Sequence, residues 1–231
     1  MEKQVFKQRA YAEIKKKLIN CDYKPGTWLN ETALSAELGI SRTPIREALA
    51  LIEQEGFVRI KPKKGIFVSE ISLISVKQVF QVRKELEPAL IRIAAPRLPP
   101  EKLAEFRERF TGKAPPVKNA IWLDAKMHLF IVEHSENRFF IEIMYKVFEE
   151  NMRIIISSRE NQVEIHDARA EHVEILDLLA AGKVEDAVKA MDGHLRHCER
   201  AALESFYNSS HADSLLPPSR YQTSLAKMSA G

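Results

Sequence analysis

The chain has 231 residues, 45% of them hydrophobic and 29% charged, with a formal net charge of +3, an ordinary balance for a soluble globular protein. Its two cysteines, Cys21 and Cys198, lie far apart and in no C-x-x-C pair, which excludes a disulfide scaffold and fits a reducing cytoplasm. No apolar run approaches the roughly 20 residues needed to span a bilayer, and the opening MEKQVFKQRA lacks the apolar core of a signal peptide. A cytoplasmic protein with no membrane contact is expected.

The charge is unevenly spread. Residues 1–65 hold thirteen Lys or Arg against eight Asp or Glu, about +5, which leaves the remainder near −2. A basic first third points to a polyanion partner there.

In chain order, Val5, Ala12, Ile14, Leu18 and Ile19 recur at helical spacing over residues 5–20. Pro25-Gly26 then breaks the chain. Residues 31–37 suit a short helix, with Gly39 supplying the tight turn after it. Ser41 is placed to cap a second helix that runs to about Glu55 and turns Ile45, Ala48, Leu49 and Ile52 inward, with Gly56 as its stop. Two β-like runs follow, Phe57–Ile60 and Ile66–Val68, joined by the basic turn Lys61-Pro62-Lys63-Lys64-Gly65. From Ser72 the pattern is almost wholly helical, with helices near 72–95, 100–110, 119–135, 138–158, 162–180 and 183–207. Pro88 falls inside the first of these and predicts a kink. The predicted fold is mainly α: a winged helix-turn-helix with a small β-hairpin over 1–70, an all-α bundle over 71–207, and a disordered tail over 208–231.

Helix, glycine turn, helix and basic hairpin is the order of a winged helix-turn-helix, whose second helix enters the major groove. Arg42 and Arg46 are four apart and share one face, and each guanidinium fork can take guanine O6 and N7 together. Ser41 and Thr43 suit phosphates at the helix N-terminus. Lys63, Lys64 and Gly65 at the wing tip are placed to approach the backbone or the minor groove, and that close approach would explain the glycine.

The run PGTWLNETALSAELGISRTPIREALALIEQEGFVRIKPKKGIFV closely resembles the DNA-binding domain of the GntR family of bacterial repressors, over about residues 5–70. The resemblance implies a homodimer on a short pseudo-palindromic operator of double-stranded DNA. By motif position it assigns DNA contacts to Arg42, Thr43, Arg46 and Gly65. Some relatives carry Arg where this chain has Thr32.

The helical remainder resembles the FCD-type effector domain of the FadR branch. The resemblance rests on Val82-Arg83-Lys84-Glu85-Leu86-Glu87-Pro88, on Asp124-Ala125-Lys126-Met127-His128, and on Glu171-His172-Val173 with His194-Leu195. Relatives usually have a longer helix where this chain is short and proline-broken, from Arg97 to Lys118. Chemically, Asp124 and His128 are one helical turn apart, so one helix offers an oxygen and an imidazole to one ion. His172 and His194, from two further helices, complete an Asp/His₃ set suited to zinc, nickel or manganese. Water or an effector carboxylate would fill the remaining positions, with Arg83 gripping the other end of an acidic ligand. The plainer alternative for Arg83 is an interhelical ion pair with a Glu. His134, His166, His197 and His211 are expected outside the site, His197 being the closest substitute ligand. Ile74, Val79, Val82 and Leu86 are candidates for an apolar dimer face.

These features predict a repressor whose operator affinity is set by a small carboxylic acid bound near the metal. The rival is a metal-dependent hydrolase or isomerase using the same four ligands, with Glu133 or Glu171 as base. That rival leaves the basic helix without a purpose.

Overall fold

The computed structural model describes residues 2–160 and 167–208. The expected tail over 208–231 and the residues His166 and His211 therefore lie outside the described residues, apart from Asn208.

Helix α1 (Glu2–Ile19) buries Ala10, Ile14 and Leu18, spaced four apart on one face, against α3. Helix α2 (Glu31–Leu38) starts at Asn30, whose Oδ1 accepts from the amides of Thr32 and Ala33 at 2.8 and 3.1 Å. Gly39 ends it with φ +62°. Helix α3 (Arg42–Glu55) buries Ile45, Ala48, Leu49 and Ile52, and Gly56 ends it with φ +85°. Burying each of the three larger side chains contributes about 1.5–3 kcal/mol.

The hairpin of β2 (Val58–Lys61) and β3 (Gly65–Val68) is joined by a third strand, β1 (Trp28–Leu29), giving the antiparallel order β1-β3-β2. Trp28 pairs with Phe67, which pairs with Arg59 on the other side. A two-residue strand is too short to show alternation, and its spacing in the sequence predicts nothing for Trp28 and Leu29.

The helical part consists of α4 (Leu73–Ala94), a 3-10 turn (Ala95–Arg97), α5 (Pro100–Thr111), α6 (Val117–Glu133), α7 (Arg138–Glu160), α8 (Arg169–Ala180) and α9 (Val184–Asn208). Ser72 and Ser75 form a reciprocal capping box at the start of α4. The helix then continues through Pro88 without a break. Helix α4 packs along α9 and also meets α6 and α7, while α8 lies between α5 and α9. Part of the apolar face of α4 is covered inside the protomer. Val79 is buried with Phe80 and Ile154, and Val82 and Leu86 pack on the main cluster. Ile74, Val82 and Leu86 keep part of their surface outside these contacts, whereas Val79 is buried.

One apolar cluster runs from Ile14, Leu18 and Leu49 into Phe148, Met152 and Ile156 of α7, so the DNA-binding part and the bundle share a core. Polar bonds reinforce the seam. Lys15 bridges Glu55 and Glu149 at 2.9 and 2.8 Å, and Trp122 Nε1 donates to Asn20 at 3.1 Å. Arg153 of α7, fully buried, donates to the Ser69 carbonyl at 2.6 Å and to Glu150 at 3.1 Å, and lies 5.2 Å over the Phe57 ring. Arg153→Met removes both donors and strands a buried carbonyl. The expected loss is about 1.5–3 kcal/mol, read as a lower melting temperature with faster amide exchange around Ser69. Unchanged exchange there would show that Arg153 does not hold the seam.

Candidate metal centre and DNA interface

On α3, Ser41 occupies the N-cap position but makes no capping hydrogen bond, and the first turn carries no acidic residue. The helix end therefore keeps its positive dipole and its amides for an anion. Arg42 and Arg46 project from this end, their side chains 56% and 60% exposed. Both reach Glu31 of α2, Arg46 Nε at 2.7 Å and Arg42 Nη2 at 3.4 Å. A carboxylate thus sits where both forks can be held in the absence of DNA. Thr43 is exposed beside them, and Thr32 is exposed on α2.

At the wing tip, Lys64 is exposed and its amide donates to the Lys61 carbonyl at 3.0 Å. Gly65 has φ +104°, and a Cβ there would fall 2.3 Å from Trp28 Nε1. The positive φ alone favours glycine here, and the indole lying across the strand adds to it, beside any close approach to DNA. Gly65→Ala is expected to cost roughly 1–3 kcal/mol and to shift the emission of Trp28, isolated by Trp122→Phe. A variant with unchanged melting and unchanged emission would show that this packing does not matter.

In the bundle, Asp124 and His128 come from α6, His172 from α8 and His194 from α9. One ligand atom from each lies within 4.8 Å of every other. The three imidazoles are buried. Two are oriented by carboxylates: His128 Nδ1 meets Glu87 Oε2 at 2.5 Å, and His194 Nδ1 meets Glu171 Oε2 at 2.9 Å. This arrangement leaves each Nε2 to face the centre. Glu87 is fixed in turn by Arg83 Nε at 2.5 Å. Burial alone would raise Glu87, but Arg83 and His128 hold it down at about 2. Burial would likewise raise Asp124, yet His172, His128 and Arg83 keep its carboxyl well below the usual range.

The donor set fits a divalent transition metal. His128 Nε2 and both ring nitrogens of His172 are buried without a hydrogen-bond partner. His172 Nε2 stands 3.0 Å from Asp124 Oδ1 without hydrogen-bond alignment, an arrangement expected of two atoms aimed at a common ion. Burial, with His172 and His128 adding to it, lowers His194 to about 4, so its ring is neutral at pH 7, as a ligand must be. Because the unfolded ring titrates near 6.5, the unfolded chain takes up this proton first as the pH falls. Metal-free protein should be fully stable, as far as His194 is concerned, above about pH 6.5 and lose that stability toward pH 4. Urea midpoints measured across this window test the sign, and a flat profile would refute it.

Arg83 is 1% exposed and does not line the adjoining cavity. Its Glu partner lies four residues on in the same helix, so the pair is intrahelical. Arg83 Nη1 donates to Asn151 at 3.2 Å, and Nη2 has no partner. His197 is half exposed and bonds Glu171 Oε1 at 2.6 Å, so it stands outside the ligand set. His134 bonds the Phe130 carbonyl. Of the two carboxylates considered as bases, Glu171 orients His194 and His197, and Glu133 is bonded by Tyr145 on the surface. The roles of Glu87, Asn151 and Arg153 were missed in the sequence. A signal was available for Arg153, a charge next to the apolar run Ile154–Ile156.

A cavity of about 280 Å³ opens beside the centre, with Asp124 and His172 in its wall.

Two family models match the chain: the model described as bacterial regulatory proteins, gntR family, over residues 6–68, and the FCD domain model over residues 78–197. The chain belongs to the GntR family and carries an FCD domain. An HTH-type transcriptional regulator of Bacillus subtilis, YdhC, is 26% identical over 198 residues, which cover 82% of this chain and 88% of the relative. The transcriptional repressor RspR of Escherichia coli is 33% identical over 88 residues, 38% of this chain and 39% of that protein. The solved structure of E. coli McbR/YncC matches with a TM-score of 0.72 at 20% identity, covering 88% of this chain and 99% of that one, and supports the fold. This GntR-family chain is a DNA-binding transcription regulator, and the enzyme reading is set aside. Among the described residues, no helix is long and apolar enough to cross a membrane.

Proposed function

We propose that this regulator is a cytoplasmic homodimeric repressor, built from a DNA-binding domain over 1–70 and an effector domain over 71–207. Ser41, Arg42, Thr43, Arg46, Lys64 and Gly65 form its DNA surface. Asp124, His128, His172 and His194 hold a divalent transition metal. A small carboxylic acid bound beside that centre changes the pose of the DNA-binding parts and lowers operator affinity by its differential binding to the two poses. The observation that carries the reading is the meeting of four ligand atoms from three helices within 4.8 Å, with unsatisfied buried imidazole nitrogens. When bound, the ion supplies a Lewis-acid centre for a carboxylate oxygen.

The residues around the centre have separate tasks. Glu87 and Glu171 fix ring orientation. Arg83 steadies Glu87 from behind the centre. Helix α7 connects site to seam: Ile155 and Ser158 line the cavity, and Arg153 on the same helix holds Ser69.

The test is fluorescence anisotropy with duplex from upstream of the regulator's own gene. A dimer touching six to ten phosphates should show a log–log salt slope of about −5 to −9, with preference over a scrambled duplex. Equal binding to both duplexes at every salt concentration would overturn the operator reading.

A further inference from the structure

The cavity beside the metal centre differs in chemistry from one end to the other. Its polar end is Asp124 and His172. Phe110 lies against His172 with ring centroids 4.7 Å apart and the planes tilted by 39°, so an apolar wall begins immediately next to the ligands. Phe80, Ile121, Ile155 and Ala202 continue that wall. Among the described residues, Arg169 is the one Lys or Arg in the lining, and Asp167 already neutralises it through contacts of 3.0 Å to Nε and 2.7 Å to Nη2. A second or third carboxylate on a ligand would meet either the aromatic wall or the Asp167 carboxylate, and burying it unpaired is costly.

The space is also limited. A cavity of about 280 Å³ is nearly twice the roughly 150 Å³ apolar cavity that takes up benzene. It accommodates one ring and a short arm.

We infer that the effector is a monocarboxylic acid with an apolar body, about the size of a phenyl ring on a two-carbon arm. Its acid group lies at the Asp124–His172 end, and its body lies between Phe110, Ile121 and Ile155. This inference rests on the metal-and-effector reading above and narrows it. Each methylene buried in such a wall strengthens binding about fourfold, so among monocarboxylates the body sets selectivity.

The experiment is calorimetry on full-length protein loaded with zinc, its metal content measured first. The probes are 3-phenylpropionate, 3-phenylpropanamide and citrate. Phenylpropionate should bind at least about thirtyfold more tightly than citrate, from its buried ring, and the amide should lose most of that affinity. Ala120→Leu, which fills the cavity from α6, should abolish phenylpropionate binding while metal content and DNA affinity stay unchanged. Protein that takes up no metal would overturn the reading beneath the inference. Zinc-loaded protein that binds citrate as tightly as phenylpropionate, or an Ala120→Leu variant that still binds the ring, would overturn the inference alone.

Discussion

Arg42→Ala and Arg46→Ala should each weaken specific operator binding by about 1–3 kcal/mol, roughly five- to 150-fold, and relax base preference at one position per half-site. The reason is geometric. Both guanidinium groups stand on the open end of α3, more than half exposed, beside a helix N-terminus free of acidic side chains. Neither supports the fold, because the opposite face of α3 provides the core through Ile45, Leu49 and Ile52. Melting temperatures should therefore hold within about a degree or two, as surface changes usually cost under 0.5 kcal/mol. Their shared partner, Glu31, supplies a control. Exposed ion pairs contribute little to stability, but Glu31 competes with DNA for both forks. Glu31→Gln should raise affinity for specific and scrambled duplex alike, whereas the Arg variants lose chiefly the specific part. Anisotropy titrations on both duplexes separate these effects. Unchanged operator affinity in both Arg variants would mean that α3 is not the reading element.

The second large effect concerns the metal centre. The double variant His172→Ala with His194→Ala should purify with almost no bound metal, measured by elemental analysis, while wild-type protein carries about one ion per chain. Removing two of four ligands leaves Asp124 and His128, both from α6, which cannot surround an ion alone. In wild-type protein, chelation should lower the melting temperature. An ion present at a hundred times its Kd stabilises by about 2.7 kcal/mol, which at 2–4 °C per kcal/mol for a chain of this size is about 5–11 °C. The double variant should show no response to chelator. Because His172 packs against Phe110 and His194 stacks on His128, circular dichroism must first confirm that the variant folds. A folded double variant that retains stoichiometric metal would sink the site.

Much of this molecule is legible in one dimension. The spacing of Ile45, Leu49 and Ile52, the positive-φ glycines at 39 and 56, and the basic turn before Gly65 each act within a few residues. Local sterics and periodicity therefore suffice to place α2, α3 and the hairpin. The same holds for Asp124 and His128, one turn apart on α6. Strand β1 escaped because two residues carry no period and exist as a strand only through pairing with β3. The partners of α4 escaped for a related reason: an apolar stripe records that something covers it, not which element does.

The sequence by itself determined the DNA-reading helix, the wing and the ligand types, because those depend on short-range geometry and on which side chains are present. Only the tertiary structure decided that α6, α8 and α9 bring four ligand atoms together, that Glu87 and Glu171 orient two of the rings, and that the Trp28 indole lies over Gly65. It also decided that Arg83 stands behind the centre, fixed to Glu87, and that Arg153 links α7 to the base of the wing. Apart from the Arg83–Glu87 pair, such contacts join residues about 20 to 84 positions apart. Their partners are selected by close packing of helices, for which no local pattern in the chain is a proxy.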